Sequence, residues 1–465
     1  MTVSICWFRR NLRLADNAAL SAALSGSTVV VPVFIHRDAE RPHDPGATSL
    51  AWLYHSLASL DASLRERGSG LTTRAGTPAA ELARIAQECG ASRVHCQRDW
   101  TPSGIAEETA VRDVLASVGV RLVVSEGQLL VTPDAVATRA GGPFRVFTPY
   151  FKAFNSIWEP PALLPAPVSL PRPTRMPVSS GPVSPRPGTP DIARWWTVGE
   201  DAAASRVGRF VSGALHAYAS DRDRMDLHGT SELSASLAWG EISPSQVMAA
   251  SLGAGDVAQP FVRQLAWREF SHHVLHYFPH TLDAPLRERF SAFPWCHDDA
   301  GVSAWQSGMT GYPLVDAGMR QLLTTGWMHN RVRLVCGSFL TKHLLQPWQT
   351  GAAFFEARLA DYDPAANTFN WQWVAGCGAD AAPYFRVFNP VVQGARFDPD
   401  GAYVRSWVPE LAGLDARWIH RPWQAPAREL ASAGVELGKT YPSPIIDHAE
   451  ARERALAAFA SIKQR

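Results

Sequence analysis

The sequence has little of what marks a secreted, membrane-spanning or nucleic-acid-coating protein. Six of its 465 residues are cysteine and no two form a CxxC pair, so neither a disulfide framework nor a zinc site is indicated. No run approaches the ~18 apolar residues of a membrane span, and the start, MTVSICWFRRNLRL, lacks the apolar run of a signal peptide. With 44 basic and 43 acidic residues, a uniformly basic coat is excluded, but a local basic groove is allowed. We expect a cytoplasmic protein without a membrane segment.

The sequence is long and rich in tryptophan. The chain has 465 residues, of which 46% are hydrophobic, and this is enough for two domains with sizeable cores. Of its 17 tryptophans, 11 lie at or after Trp239. Indole is bulky and hard to bury completely, so this concentration needs a reason beyond packing.

The first 130 residues alternate short apolar runs with amphipathic stretches. The runs that we interpret as buried parallel strands are 3–8, 29–35, 94–96 and 120–124. The stretch TPAAELARIAQECG has helical spacing, with Thr77 suited to cap it, Pro78 to its first turn and Gly90 to its end. Strands that alternate with helices predict a doubly wound α/β domain with a parallel sheet.

Residues 160–190 differ abruptly in composition, with 11 prolines in 31 residues. Proline at this density prevents regular helix or central strand, so we predict an extended connection. Beyond it, strand patterns nearly vanish and long helical patterns dominate. We therefore predict an α/β domain over 1–130, a connection over 131–190 and an all-α domain over 191–465.

Three short motifs have a spacing that fits a ligand site. GCGADA at 376–381 fits a loose dinucleotide-binding pattern, but it follows no strand, so a turn between helices is favoured. His272 and His276 stand four apart without further ligands, so no metal site is predicted. GTSELS at 229–234 precedes a helical run, and its hydroxyls suit either an anion or ordinary helix capping.

The helical half also contains polar aromatic clusters. In FVRQLAWREF, Gln264 and Arg268 share a helical face and Trp267 lies beside them. An amide, an indole and a guanidinium suit a polar aromatic ligand better than an apolar core. WMHNRVRL and DYDPAANTFNWQW add further amides, arginines, aspartates and indoles.

Seven motifs follow one another across nearly the whole chain. They are WFRRNLRLADNAAL, TPYFKAF, GTSELSASLAWGEISP, QLAWREF, TGYPLVDAGMRQL, GWMHNRVR and NWQWVAGCGADAAPYFRVFNP. Together they resemble the photolyase/cryptochrome family, most closely the microbial photolyases that repair cyclobutane pyrimidine dimers. The resemblance implies an α/β domain joined to a helical FAD-binding domain, and a light-driven repair lyase acting on damaged DNA. We expect a monomer.

The family commonly carries a second, antenna chromophore, a folate or a deazaflavin. Some bacterial members hold folate with an Asn-Glu pair, where this chain has Ser103 and Gly104. The sequence therefore leaves the identity of an antenna open.

The resemblance assigns an FAD-binding role to residues in and around these motifs. They are Tyr218, Thr230, Ser231, Glu232, Leu233, Ser234, Phe261, Arg268, Arg333, Asp361, Tyr362, Asp363 and Asn367. Arg333 is the expected ion-pair partner of Asp361. Asn367 matches the residue that faces the reactive flavin nitrogen, where plant cryptochromes carry Asp. An amide cannot shuttle a proton as a carboxyl can, which favours the fully reduced anionic flavin needed for repair.

Electron transfer and lesion binding are assigned in the same way. Trp295, Trp348 and Trp371 match the three tryptophans that pass an electron from the surface to photoexcited flavin. The residues matched to the damaged strand and its flipped-out dimer are Arg222, Gln264, Trp267, Asn330, Arg331, Leu334, Trp373, Arg386 and Gln393.

Two positions depart from the dimer-specific pattern. Gln264 stands where those enzymes usually have Glu, and Leu334 where they have Met. Animal cryptochromes and (6-4) photolyases also have Gln at the position of Gln264. The (6-4) photolyases, however, carry two histidines at the positions where this chain has Asn330 and Leu334. The alternatives are a cryptochrome-like blue-light photoreceptor and, less favoured, a (6-4) photolyase. Asn367, and helical patterns instead of a long disordered C-terminal extension, favour repair.

Overall fold

Two compact units make up the chain, and each is described by itself. The computed structural model describes residues 2–37, 41–160, 162–173, 176–181, 190–381 and 385–462. Unit 1 comprises Met1–His216, Ser231–Pro279 and Ala360–Asp363, and unit 2 comprises Ala217–Thr230, His280–Leu359 and Pro364–Arg465. The domain boundaries at 130 and 190 stay predictions from composition.

A parallel sheet forms the centre of unit 1. Its strands in the described residues are β1 (Val3–Phe8), β2 (Val29–His36), β3 (Thr72–Ala75), β4 (Arg93–Gln97) and β5 (Arg121–Ser125). Neighbouring strands pair in parallel in the order β3-β2-β1-β4-β5. This confirms the predicted doubly wound α/β fold. β3 was not predicted, because TTRA is short and offers no apolar run.

Both faces of the sheet are buried, as parallel sheets require. Along β1, Cys6 and Phe8 join one apolar cluster, and Ile5 and Trp7 join the other. Successive strand residues point to opposite faces, so a continuous apolar run supplies two cores at once.

Helices surround the sheet and form almost all the rest of the chain. In chain order the α-helices of the described residues are α1 (Ala18–Ser25), α2 (Ala47–Glu66), α3 (Pro78–Cys89), α4 (Pro102–Ser117), α5 (Phe147–Ile157), α6 (Glu200–Ser212), α7 (Tyr218–Asp221), α8 (Ser234–Trp239), α9 (Pro244–Leu252), α10 (Gln259–Tyr277), α11 (Asp299–Ser307), α12 (Pro313–Thr325), α13 (Asn330–Ser338), α14 (Trp348–Arg358), α15 (Pro364–Ala375), α16 (Pro390–Phe397), α17 (Ala402–Trp407), α18 (Ala416–Ile419), α19 (Ala427–Ser432) and α20 (His448–Ser461). A π-helical turn, Phe339–His343, follows α13. The helical prediction from residue 191 onward is confirmed. Within the described ranges, no helix combines the length and apolarity needed to cross a bilayer.

Helix α3 illustrates how the sequence sets its bounds. Pro78 begins the helix and Gly90 follows it in the left-handed conformation, at φ 71°, as predicted. Thr77 occupies the N-cap position, but its side chain makes no capping hydrogen bond. The predicted N-cap position of Thr77 is therefore confirmed, and the predicted capping hydrogen bond from its side chain is wrong.

The proline-rich connection runs beside the sheet edge in its described part. Ser180 N donates to Thr73 O on edge strand β3 at 2.8 Å, and Leu170 is fully buried in the unit 1 core. The connection therefore covers part of an edge that would otherwise present unpaired backbone groups. Residues 161, 174–175 and 182–189 of this connection lie outside the described residues.

Candidate functional site

A contact between two buried polar side chains links helix α10 to the segment Ala360–Asp363 of unit 1. His272 Nε2 lies 3.3 Å from Asp363 Oδ2, and both side chains are buried. Burial alone would raise the pKa of Asp363, but the charges of His272 and Arg268 outweigh it and hold that pKa well below its usual range. Asp363 is therefore a fixed negative charge at neutral pH. Sequence reasoning assigned Arg268 and Asp363 to the cofactor region but missed His272 as their neighbour.

The polar face of α10 is anchored at a second point. Arg268 Nη1 donates to Gln128 O at 3.0 Å, and Glu269 Oε2 accepts from Leu130 N at 2.8 Å. Burial raises the pKa of Glu269. Glu269 was also missed, although an acidic residue inside a mostly buried helix is a sign of such an anchor.

The indole of Trp267 stacks on Phe147 of α5, with ring centroids 3.7 Å apart and planes at 8°. Trp267 is half-exposed, which suits a platform more than a core residue. The half-buried Gln264 lies one turn earlier, and its Nε2 donates to Pro260 O at 3.4 Å.

An apolar aromatic wall stands at the start of the same helix. Phe261 is buried against Phe210, with ring centroids 4.6 Å apart. This agrees with the apolar role predicted for Phe261 and leaves the role itself a prediction.

The GTSELS segment does not cap its helix in the ordinary way. Helix α8 begins at Ser234, Leu233 holds the N-cap position, and no side chain makes the capping hydrogen bond. Glu232 has a left-handed backbone, at φ 52°. The capping alternative is therefore wrong here, and the anion-binding alternative stays a prediction.

Two predicted residues of unit 2 lie together on and beside α7. Tyr218 is buried, and burial raises its pKa to about 12. The Arg222 guanidinium carbon lies 6.0 Å from the centre of the Tyr218 ring. A residue assigned to the cofactor and one assigned to DNA are thus neighbours.

The Asn367 amide is oriented by helix α14 of unit 2. Its Nδ2 donates to Ala352 O at 3.1 Å. A primary amide has two N–H donors and an acceptor oxygen, so this bond leaves the oxygen and one N–H. Asn367 is half-buried, so a ligand can reach it.

The three predicted tryptophans differ in burial. Trp371 and Trp348 are buried, and Trp295 is half-exposed. Trp371 packs edge to face on Phe355, with ring centroids 5.0 Å apart. It also lies beside Trp305, at 6.2 Å, which sequence reasoning did not single out.

The segment after Trp295 is joined to the one that leads into α14. Cys296 N donates to Leu345 O at 2.7 Å. Cys296 directly follows Trp295, and Leu345 lies three residues before Trp348. The hydrogen bond brings the chain segments next to Trp295 and Trp348 together, and the electron relay stays a prediction.

Helix α13 carries the predicted residues of the WMHNRVR motif. Asn330 is exposed at its first position, and Leu334 is half-buried one turn later. Arg331 forms an ion pair with Asp223, and its guanidinium carbon lies 4.7 Å from the centre of the Phe397 ring. Arg333 Nε donates to Met328 O at 2.8 Å.

The turn after α15 holds the last predicted residues. Gly376 has φ 93° and directly follows the helix, which confirms that GCGADA is a turn. Trp373 Nε1 donates to Asp380 O at 3.1 Å. Arg386 is exposed. The Gln393 Oε1 atom of α16 is buried and unpaired in the described part of the chain.

In unit 1, Arg268 and Asp363 supply charges of both signs. In unit 2, Asn367 supplies an amide that already donates one hydrogen bond. A doubly wound α/β unit and helices that carry such polar groups are typical of flavoproteins.

Comparison with known proteins gives the family. "DNA photolyase" matches residues 4–169, and "FAD binding domain of DNA photolyase" matches residues 261–461. A deoxyribodipyrimidine photo-lyase of Agrobacterium fabrum is 45% identical over 99% of this chain and 98% of its own. Cryptochrome-1 of Arabidopsis thaliana is 35% identical over 99% of this chain and 70% of its own.

A solved structure agrees. The bacterial class III photolyase from Agrobacterium tumefaciens has a TM-score of 0.95 and 44% identity, covering 100% of this chain and 98% of that one. The chain belongs to the DNA photolyase family and carries its FAD-binding domain.

Proposed function

We propose that this protein is a light-driven DNA repair lyase that flips a cyclobutane pyrimidine dimer out of the duplex and splits it, with FAD supplying the electron when it is reduced and photoexcited. The observation that carries the proposal is the near-full-length similarity to deoxyribodipyrimidine photo-lyases. The half-exposed Trp267, stacked on Phe147, supports it.

The proposed FAD-binding residues provide charge, hydroxyls and apolar walls. They are Tyr218, Thr230, Ser231, Glu232, Leu233, Ser234, Phe261, Arg268, Arg333, Asp361, Tyr362, Asp363 and Asn367. Asn367 presents an amide oxygen and no acidic proton, so it can accept a hydrogen bond without delivering a proton. Asp363 stays ionised because His272 and Arg268 lower its pKa.

Trp371, Trp348 and Trp295 are proposed to relay an electron from the surface inward. Indole is oxidised far more readily than phenyl or aliphatic side chains, and the surface end of the relay must be reachable by a reductant. The half-exposed Trp295 meets that condition, and the buried Trp371 and Trp348 are shielded from it.

Lesion recognition rests on stacking and on base-edge hydrogen bonds. A dimer stacks and pairs poorly, so extruding it costs less than extruding normal bases, and photolyases are a standard case of base flipping. Trp267 and Trp373 each supply an indole face worth about 1–3 kcal/mol per stacked base. Gln264 and Asn330 are proposed to read base edges, and Leu334 to add apolar contact.

The strand backbone is proposed to bind Arg222, Arg331, Arg386 and Gln393. Contacts to phosphate position a duplex and make binding sensitive to salt. Arg331 is already paired with Asp223, so it must exchange a carboxylate for a phosphate. Arg386 is exposed.

Compartment and assembly are part of the proposal. All six cysteines are free, which fits a reducing compartment such as the cytoplasm. We propose a monomer. An antenna chromophore, folate or deazaflavin, is proposed without a choice between them.

The alternative function is a cryptochrome-like blue-light photoreceptor, which the similarity to Cryptochrome-1 favours. Asn367 argues against it, because plant cryptochromes carry a proton-donating Asp at the matching position. A (6-4) photolyase is less favoured, since Asn330 and Leu334 stand in place of its His pair.

Illumination of the purified, reduced protein with a dimer-containing oligonucleotide tests the proposal. We expect light-dependent recovery of thymine and flavin absorption bands in the purified protein. Flavin bands without thymine recovery would point to the photoreceptor.

A further inference from the structure

Lys342 is a buried lysine that the proposed reaction does not use. It lies in the π-helical turn Phe339–His343 and is only 3% exposed. Its ammonium donates to the main-chain oxygen of Arg386. It also lies 4.4 Å from the centre of the Phe385 ring. Its partners are thus a carbonyl and an aromatic face, which are modest compensation for a buried charge.

Holding this ammonium away from water is costly. The pKa of Lys342 is lowered to about 7, mainly by burial, with the Arg386 charge adding to the decrease and Cys377 opposing it. A methionine of similar volume would avoid that cost. A costly residue at a widened helical turn indicates a role other than stability.

The segment that Lys342 holds carries one exposed charge. Phe385 and Phe388 are buried, and Arg386 between them is exposed. The segment is fixed at two points, because Phe388 N also donates to Ser338 Oγ at 3.2 Å. Ser338 ends α13 and Lys342 follows four positions later, so one continuous helical run supplies both points.

We propose that Lys342 is a positioning residue for damaged DNA: its ammonium fixes the main chain of Arg386 so that the exposed guanidinium is held ready for a strand phosphate. The inference rests on the proposed function, in which Arg386 contacts the damaged strand. Fixing the backbone before binding reduces the ordering cost of one long side chain. Lys342 touches neither the lesion nor the phosphate.

Lys342→Met, Arg386→Ala and the double variant test this on the full-length holoprotein. The affinity for a dimer-containing duplex is measured across a salt series. We expect each single variant to bind about 10-fold more weakly and to reduce the salt slope by about 1. The double variant should be no weaker than Arg386→Ala alone. Lys439→Met, which removes the same charge at a surface ion pair with Glu436, is the matched control and should bind like the parent.

If Lys342 only stabilised the fold, Lys342→Met would lower the melting temperature or the FAD content. We expect Lys342→Met to keep its FAD content and to keep or raise its melting temperature, because the change removes the cost of a buried charge. Parental affinity in Lys342→Met, or a double variant whose losses add, would overturn the inference. If the parent itself shows no preference for the dimer duplex, the proposed function has failed instead.

A pH series on the unaltered chain gives a second test that does not depend on the folding of a variant. Affinity should fall from about pH 6 to about pH 8.5 as Lys342 loses its proton, and the fall should be absent in Arg386→Ala. Cys377 and His343 face Lys342, but neither changes its charge between about pH 6 and about pH 8.5. Burial raises the pKa of Cys377 to about 12 and lowers the pKa of His343 to about 3. From α20, His448 and Arg454 contact His343, and burial lowers the pKa of His448. The same pH dependence in Arg386→Ala would also overturn the inference.

Discussion

Gly351 lies directly against the indole of Trp371: a Cβ atom at residue 351 would be 2.0 Å from a ring carbon. Helices α14 and α15 therefore approach so closely that only a hydrogen atom fits at this point. The position of Trp371 is set by the absence of a side chain on the neighbouring helix.

Gly351→Ala should displace the indole or force the helices apart. Overpacking of this kind costs about 1–3 kcal/mol, and urea unfolding measures it. Photoreduction of oxidised FAD should slow as well, because electron transfer depends steeply on distance. Gly208→Ala in α6 meets no atom within 4 Å and is the matched control, with a small gain in stability expected. Equal effects of the two changes would show that the close approach is not limiting.

Trp371→Phe should nearly abolish photoreduction of oxidised FAD, because phenylalanine is far harder to oxidise than indole. Repair by chemically reduced protein should be largely retained. Absorption changes under illumination measure the first property, and thymine recovery measures the second. Equal loss of both would make Trp371 a packing residue only.

Gln264→Ala should weaken dimer binding by about 0.5–1.5 kcal/mol, the usual worth of a neutral hydrogen bond, with FAD content unchanged. Gln264→Glu should keep or improve repair, because a carboxylate accepts stronger, charge-assisted bonds from the pyrimidine edge. Titration with dimer DNA checks both variants. Parental affinity in Gln264→Ala would mean that the residue does not read the lesion.

Asp363 should make the protein sensitive to acid. Its pKa is lower in the folded chain than the ordinary value of 3.8, so the stability it contributes is present above about pH 4 and is lost as pH falls further. The free energy of unfolding should therefore drop more steeply below about pH 4 in the parent than in Asp363→Asn. Parallel pH profiles would exclude Asp363 as the source.

Lys342 should make the protein more stable as pH rises above neutral. Its pKa falls from 10.5 to about 7 on folding, so between these values the unfolded chain binds a proton that the folded chain has lost. The free energy of unfolding should therefore rise from about pH 7 towards about pH 10. Lys342→Met should lack this rise in urea titrations, and an unchanged rise would assign it to another group.

Much of the fold followed from sequence because one pattern repeats. The strands at 3–8, 29–35, 94–96 and 120–124 were found since a sheet buried on both faces needs unbroken apolar runs. β3 escaped because the edge strand Thr72–Ala75 is four residues long and polar. Thr77 was placed correctly, but a capping bond depends on a side-chain rotamer that spacing does not determine.

The candidate site was harder to predict, since its partners are distant in the chain. Arg268 and Asp363 carried recognisable motifs, but His272 was visible only as half of a weak pair with His276. His276 instead packs on Trp100, with ring centroids 5.3 Å apart. The hydrogen bond from Lys342 to Arg386 could not be predicted from residue spacing, because 44 residues separate the two.

The order in which the chain builds unit 1 has a consequence for synthesis. Ala235, Trp239 and Ala360 belong to the same apolar cluster as β1 residues, so a ribosome must release about four-fifths of the chain before that cluster can close. Nascent chains shorter than this expose an incomplete core, and such intermediates invite aggregation or chaperone binding. Cutting the chain after residue 216 would therefore yield an unfinished unit instead of a portable α/β domain.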